Sequence, residues 1–243
     1  MLRQFGPYHI NGLDRSDASS VMTMDDLRAR LVEDLSPTPP HYVVRRLLAG
    51  AGGGAAVSLV LVAILMGYRP DMATAALTPM FWWKLIYVLA LAVVAVWSAD
   101  RFARPGGAEG WKRGIWAIVP LTLALGLAAW QLLSTPAVDR PGMIMGGSAR
   151  VCPWCIVAYA VPPMIGLVWA VRGLAPTRLG QAGLMIGLAG GGLGAAAYAL
   201  HCTESAAPFL AIWYTLGIAI AAAIGGILGP FILQWPAARL RRR

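Results

Sequence analysis

Six long apolar runs dominate this chain, near residues 47–67, 82–99, 114–133, 151–171, 181–201 and 208–233. A run of about 20 such residues crosses the hydrocarbon core of a bilayer as a helix, because a helix satisfies its own backbone groups where water is absent. Six of them use about half of a 243-residue chain. The short connections leave no room for a second folded domain. Composition agrees: 58% of residues are hydrophobic and 13% charged, against about 25% charged in a soluble domain. The expected fold is an all-α integral membrane protein, a six-helix transmembrane bundle. A soluble globule and a disordered chain are both excluded.

The net charge of +9 then becomes a question of placement. An even number of spans puts both ends on one side. That side holds Arg45, Arg46, Arg101, Arg104, Lys112, Arg113, Arg172, Arg178, Arg239, Arg241, Arg242 and Arg243, and the other holds Arg69, Lys84, Arg140 and Arg150. Twelve against four is a positive-inside bias, which predicts cytoplasmic termini. Basic residues that flank apolar helices do not form the clustered face that nucleic acid needs. Lys84, within Phe81-Trp82-Trp83-Lys84, is expected to snorkel outward into an aromatic belt. No acidic residue falls near the middle of a span, which argues against a pump or ion-coupled transporter.

Small residues recur every fourth position: Gly183, Gly187 and Gly191; Gly225 and Gly229; Gly50 and Gly54. They predict close helix packing within the chain. Pro120 and Pro162-Pro163 are expected to kink the third and fourth spans.

Three cysteines fall on the face opposite the termini. Cys152-Pro153-Trp154-Cys155 opens the fourth span and His201-Cys202-Thr203-Glu204 closes the fifth. Cys152 and Cys202 match in depth, with Cys155 about 4.5 Å deeper. A thiol at a helix start has its thiolate favoured by unpaired N–H groups. Cys152, Cys155, His201, Cys202 and Glu204 are therefore the candidate sensor residues. The first four are also a candidate donor set for a regulatory metal ion, with no other cofactor expected. The bland alternative is that the cysteines are small, partly buried apolar residues.

Residues 1–21 lack the apolar core of a signal peptide and read as a disordered extension or a misassigned start, with Met22 or Met24 as the alternative. Residues 22–44 form an arm. Within it Met24, Leu27, Leu31 and Leu35 share one helical face, beside Asp25, Asp26, Glu33 and Asp34. Thr23 with Asp26 fits a capping box. A short amphipathic helix cannot bury its stripe alone. Its acidic face favours a protein partner with a basic, apolar groove over a membrane surface. The transmembrane domain is expected over 45–236 and a basic tail over 237–243.

With these stretches in view, the chain resembles the NrsF-type membrane anti-sigma factors, six-span regulators of extracytoplasmic-function (ECF) sigma factors. The resemblance rests on Met24-Asp25-Asp26-Leu27, Gly67-Tyr68-Arg69-Pro70-Asp71, Cys152-Pro153-Trp154-Cys155-Ile156, Tyr198-Ala199-Leu200-His201-Cys202-Thr203-Glu204 and Trp213-Tyr214-Thr215-Leu216-Gly217, in that order over about residues 22–235. It implies a non-enzymatic regulator in a bacterial inner membrane. Its cytoplasmic arm (Met24, Asp25, Asp26, Leu27, Leu31 and Leu35) would hold an ECF sigma factor. Cys202 and one of Cys152 or Cys155 would sense metal or oxidative stress on the periplasmic face. Depth matching favours Cys152, while a pair within the Cys-x-x-Cys stays open. The alternative function is a membrane thiol oxidoreductase passing electrons to quinone. It suits Cys-Pro-Trp-Cys but lacks a second cysteine pair and a use for the acidic arm. A metal transporter is a third class, and it lacks ligands within the spans.

Overall fold

All six apolar runs form helices long and apolar enough to cross a membrane. The structure is a computed structural model and describes Met24, Asp25, Arg28, Pro39 and residues 41–104, 109–174 and 176–234. The chain divides into two units, Met1–Pro40 and His41–Arg243.

In the first unit Met24, Asp25 and Arg28 are helical and exposed, and Arg28 donates to Asp25 at 3.1 Å. Asp26, Leu27, Leu31 and Leu35, the capping box and the 1–21 extension lie outside the described residues, as does the 237–243 tail.

The second unit has eight helices among the described residues. The spanning ones are α1 (Tyr42–Leu65), α3 (Pro79–Phe102), α4 (Gly110–Ser134), α6 (Cys152–Arg172), α7 (Leu179–Ala199) and α8 (Ala207–Ile232). Two short helices, α2 (Met72–Ala75) and α5 (Arg140–Met145), lie in the connections. A 24-residue helix such as α1 or α3 is about 36 Å long, enough to cross the hydrocarbon core.

Bare backbone brings the helices together. α7 is central, with 78% of its apolar stretch buried against 11% for α4 at the edge. Its glycines explain why. Gly183 meets Gly225 and Gly229 of α8, Gly194 meets Tyr159 and Ala160 of α6, and Gly192 meets Val88 and Ala92 of α3. Gly50 of α1 likewise meets Gly166 of α6. The small-residue spacing therefore serves contacts inside the chain, as expected.

α6 stays helical through Pro162-Pro163. Pro163 has no N–H to give the carbonyl of Tyr159, four residues earlier. Ser58 of α1 donates its hydroxyl to that carbonyl at 2.7 Å, so the proline's lost bond becomes an interhelical one. Beside it Gly54 seats against the Pro163 backbone.

Two large cores fill the bundle, beside a small cluster of Ala128, Ala207 and Ala211. One, toward the ends carrying Arg46, Arg101 and Arg172, is built from Leu, Ile, Val and Ala with Phe102 and Met185. The other, at the opposite end, holds Tyr87, Tyr159, Tyr198, Phe209 and Tyr214 with Cys152 and Cys202.

Candidate functional site: the cysteine end of the bundle

Two connections interlock where the cysteines lie. α1 ends in Gly67, whose φ of +76° is a left-handed conformation suited to glycine. Its N–H bonds to the Val62 carbonyl at 2.9 Å. The turn brings the Gly67 carbonyl within 3.0 Å of His201 Nδ1, and the Arg69 N–H donates to Leu200 O at 3.0 Å. The 66–71 connection is thereby stitched along the 200–204 connection that carries Cys202. Arg69 completes the seam. It is 6% exposed, forks onto Asp71 through two bonds of 2.7 Å, and reaches Cys202 O and Thr203 O at 3.5 Å. The Asp71 bond holds Arg69 firmly protonated, and the guanidinium holds the Asp71 carboxyl below the usual carboxylate range.

Lys84 corrects the sequence reading. It does not snorkel outward. It is 1% exposed and donates from Nζ to Cys202 O at 2.9 Å and Glu204 O at 2.8 Å, with the Tyr214 ring 5.0 Å away. The 200–206 connection is too short to pair its own carbonyls, and buried carbonyls need donors. An ammonium one turn into α3 supplies them, while Trp82 on the same helix faces outward. Lys84 is therefore a buried cation and no part of the charge bias that orients the bundle.

The structure separates the three cysteines, all of which are free. Cys152 is fully buried and packs in the same core as Cys202, which is 4% exposed. Cys155, half-buried, lies against the Tyr198 hydroxyl instead. The Cys152 thiol holds the Cys202 sulfur below the ordinary thiol range. Burial opposes this, and the Lys84 ammonium reinforces it. The remaining sequence candidates are turned to other work: His201 to Gly67, and Glu204 Oε1 to the Gly147 N–H at 2.8 Å. Among the described residues no three of the His, Cys, Asp and Glu side chains are grouped to hold a metal ion.

α8 closes the site from the far side. It begins with a turn of π-helix over Leu210–Tyr214, an irregularity common at functional sites. Tyr214 is buried beside Cys202, and its hydroxyl has no hydrogen-bond partner among the described residues. Trp213 donates to Ile144 O at 2.8 Å, and Thr215 shares a 2.6 Å bond with Tyr87.

Lys84, Arg69, Tyr198 and Tyr214 were not among the sequence candidates. Lys84 left a signal: it lies in an apolar run, where an ionisable residue marks a functional or internally paired position. The adjacent tryptophans pulled the reading toward the interface. The tyrosines resemble any membrane-belt aromatics until their depth is known.

Four of the five stretches that carry the family resemblance meet here: Gly67–Asp71, Cys152–Ile156, Tyr198–Glu204 and Trp213–Gly217. The family model described as negative regulator of sigma F matches residues 31–235. The chain is 39% identical over 221 residues to the anti-sigma-F factor NrsF of Caulobacter vibrioides, a match that covers 88% of this chain and 100% of that protein. It is 33% identical over 220 residues to a probable anti-sigma-F factor NrsF of Azospira oryzae, with the same coverage of each. No solved structure matches it. The chain belongs to the family of negative regulators of sigma F.

Proposed function

We propose that this protein is a membrane-anchored anti-sigma factor that binds an ECF sigma factor through its N-terminal arm and releases it when the cysteine end changes state. The observation that carries this reading is the whole-length similarity to a relative named as an anti-sigma-F factor. The acidic residues Asp25 and Asp26, beside the leucine positions 27, 31 and 35, suit a basic, apolar groove on such a partner. The termini are cytoplasmic and the cysteine end periplasmic in a bacterial inner membrane, a placement supported by the distribution of basic residues, twelve against three once the buried Lys84 is set aside. The role is regulatory, without turnover.

The sensing event is formation of a disulfide between Cys152 and Cys202. It removes two protons and two electrons from the thiols, and the electrons pass to a two-electron oxidant such as a hydroperoxide. Burial of the pair against Lys84 and Tyr214 supports this, because the bond changes the packing where α6, α7 and α8 meet.

Two variants test the reading. Asp25→Ala/Asp26→Ala in the full-length protein is expected to lose sigma-factor binding, and unchanged affinity would remove the arm's role. Cys202→Ser is expected to abolish induction of the regulon by oxidant. A normal response would remove Cys202 from the sensor.

A further inference from the structure

A buried ammonium requires an anion or a full set of acceptors. Among the described residues no carboxylate pairs with Lys84. Its Nζ is held by two backbone carbonyls, Cys202 O and Glu204 O, the first of them on the residue that carries the sulfur. Of the thiol and the Tyr214 phenol beside it, the thiol is intrinsically the stronger acid, so the sulfur is the group suited to carry the balancing negative charge. A second, independent feature selects the same residue. A cavity of about 300 Å³ opens at this end, lined by Arg69, Ser148, Tyr198, His201, Thr203 and Cys202 among others. Cys152 and Cys155 do not line it. The Ser148 hydroxyl on its wall is buried and unpartnered among the described residues.

We infer that Lys84 is a positioning residue that holds Cys202 as the nucleophile of the cysteine end, so that small electrophiles entering the cavity meet Cys202 first and Cys152 acts second. This rests on the reading of the cysteine end as a thiol sensor, and it adds the order of reaction and the residue that sets it. The ordering has a physical cause. The thiolate is the reacting form of cysteine, and a cation beside it raises the thiolate fraction at neutral pH. Cys152 does not line the cavity and is buried in the same core as Cys202, which suits it to resolve a first product. Cys155 is turned to Tyr198.

Several charged and titratable groups face the Cys202 sulfur from neighbouring elements. Lys84 comes from α3, Arg69 from the 66–71 connection, Cys152 and Cys155 from α6, Tyr198 from α7 and Tyr214 from α8. On its own segment His201 is turned to Gly67 and the Glu204 carboxylate to Gly147. Lys84 and Arg69 are the cations of the set. Arg69 is already forked onto Asp71, which leaves Lys84 as the cation without a carboxylate.

The test is the rate of alkylation of each cysteine in the reduced, full-length protein in lipid nanodiscs, read by mass spectrometry against pH. The probe is iodoacetamide: the thiolate forms the S–C bond, the C–I bond breaks and iodide leaves. In the wild type Cys202 is expected to react at least about tenfold faster than Cys152 and Cys155 at neutral pH. Lys84→Met is expected to lower the Cys202 rate by about tenfold and move its pH midpoint upward, and Lys84→Arg to restore both. Cys155 reacting first, or a Cys202 pH midpoint unmoved by Lys84→Met, would overturn the inference. If Lys84→Met loses the fold, all three cysteines label alike. The order in the wild type and the midpoint in Lys84→Arg then decide, and Cys202 not leading in both overturns it. No sigma factor takes part in this labelling, so its failure is distinct from failure of the regulatory reading, which Cys202→Ser tests in cells.

Discussion

The two halves of the bundle use the same residue types for opposite purposes. In the half that carries Arg46, Arg101 and Arg172, basic side chains lie at the rim. Arg46 stacks on Trp169 at 4.6 Å and caps the Ala170 carbonyl at 2.9 Å, and Arg101 is exposed. The core beneath them is aliphatic, and its helices touch through glycine. In the cysteine half, Lys84 and Arg69 are buried and hold backbone carbonyls, and the core is built of tyrosines around two thiols. A bundle that only needed to span a membrane could use the first design at both ends. The second places basic side chains, polar hydroxyls and free thiols in a low-dielectric setting, where each interaction is stronger and each unpaired group costs more. The comparison separates a polar, thiol-bearing half from an aliphatic one.

The sharpest way to break this contrast is to exchange the cations for alanine. Lys84→Ala leaves Cys202 O and Glu204 O without their donor. It is expected to destabilise the protein by about 3–6 kcal/mol, from two charge-assisted bonds at roughly 1.5–3 kcal/mol each. Arg101→Ala is expected to stay within about 0.5 kcal/mol. Thermal unfolding in one detergent compares them directly, and equal shifts would erase the distinction between the halves.

The aliphatic half has its own probe. A side chain at Gly183 meets the backbone of Gly225 and Gly229, which cannot move aside, whereas Gly126 on α4 faces open space. Gly183→Val is expected to cost about 3 kcal/mol and Gly126→Val, at an exposed site, less than about 1. A smaller effect is expected where the halves join. Ser58→Ala leaves the Tyr159 carbonyl unpaired beneath Pro163 and should cost about 1 kcal/mol.

The smallest effect separates the halves by pH. The Arg69 guanidinium depresses Asp71, so this pair's contribution is complete above the ordinary carboxylate range and is lost as pH falls through the lowered value. Asp71→Asn should therefore lower the wild-type thermal midpoint at neutral pH and converge with it in strong acid. A constant gap between the two curves would detach the pair from the stability of the 66–71 seam.

The aliphatic half was legible in the sequence because its signals are local. Apolar length marks each span, and glycine every fourth residue marks a face, so α7 could be read as packed before its neighbours were known. The cysteines were legible as a cluster for the same reason, since helix ends at matched depth must lie at one face. Lys84 was not. Its role depends on carbonyls 118 and 120 residues away, and beside Trp82 and Trp83 its local surroundings match those of an interface lysine. The bonds of His201 and Glu204 were not legible for a similar reason, because their partners Gly67 and Gly147 are glycines with no motif to announce them. What was missed lies almost wholly in hydrogen bonds between connections, which no periodicity records.

The central claim is that the cysteine end governs partner retention by this member of the family. The direct measurement is co-purification of the ECF sigma factor with full-length protein in nanodiscs, under reductant and after hydroperoxide, for the wild type and Cys202→Ser. The sigma factor is expected to remain bound to both proteins under reductant, to leave the wild type on oxidation, and to stay on Cys202→Ser. Retention by the oxidised wild type, or release from Cys202→Ser, would contradict it.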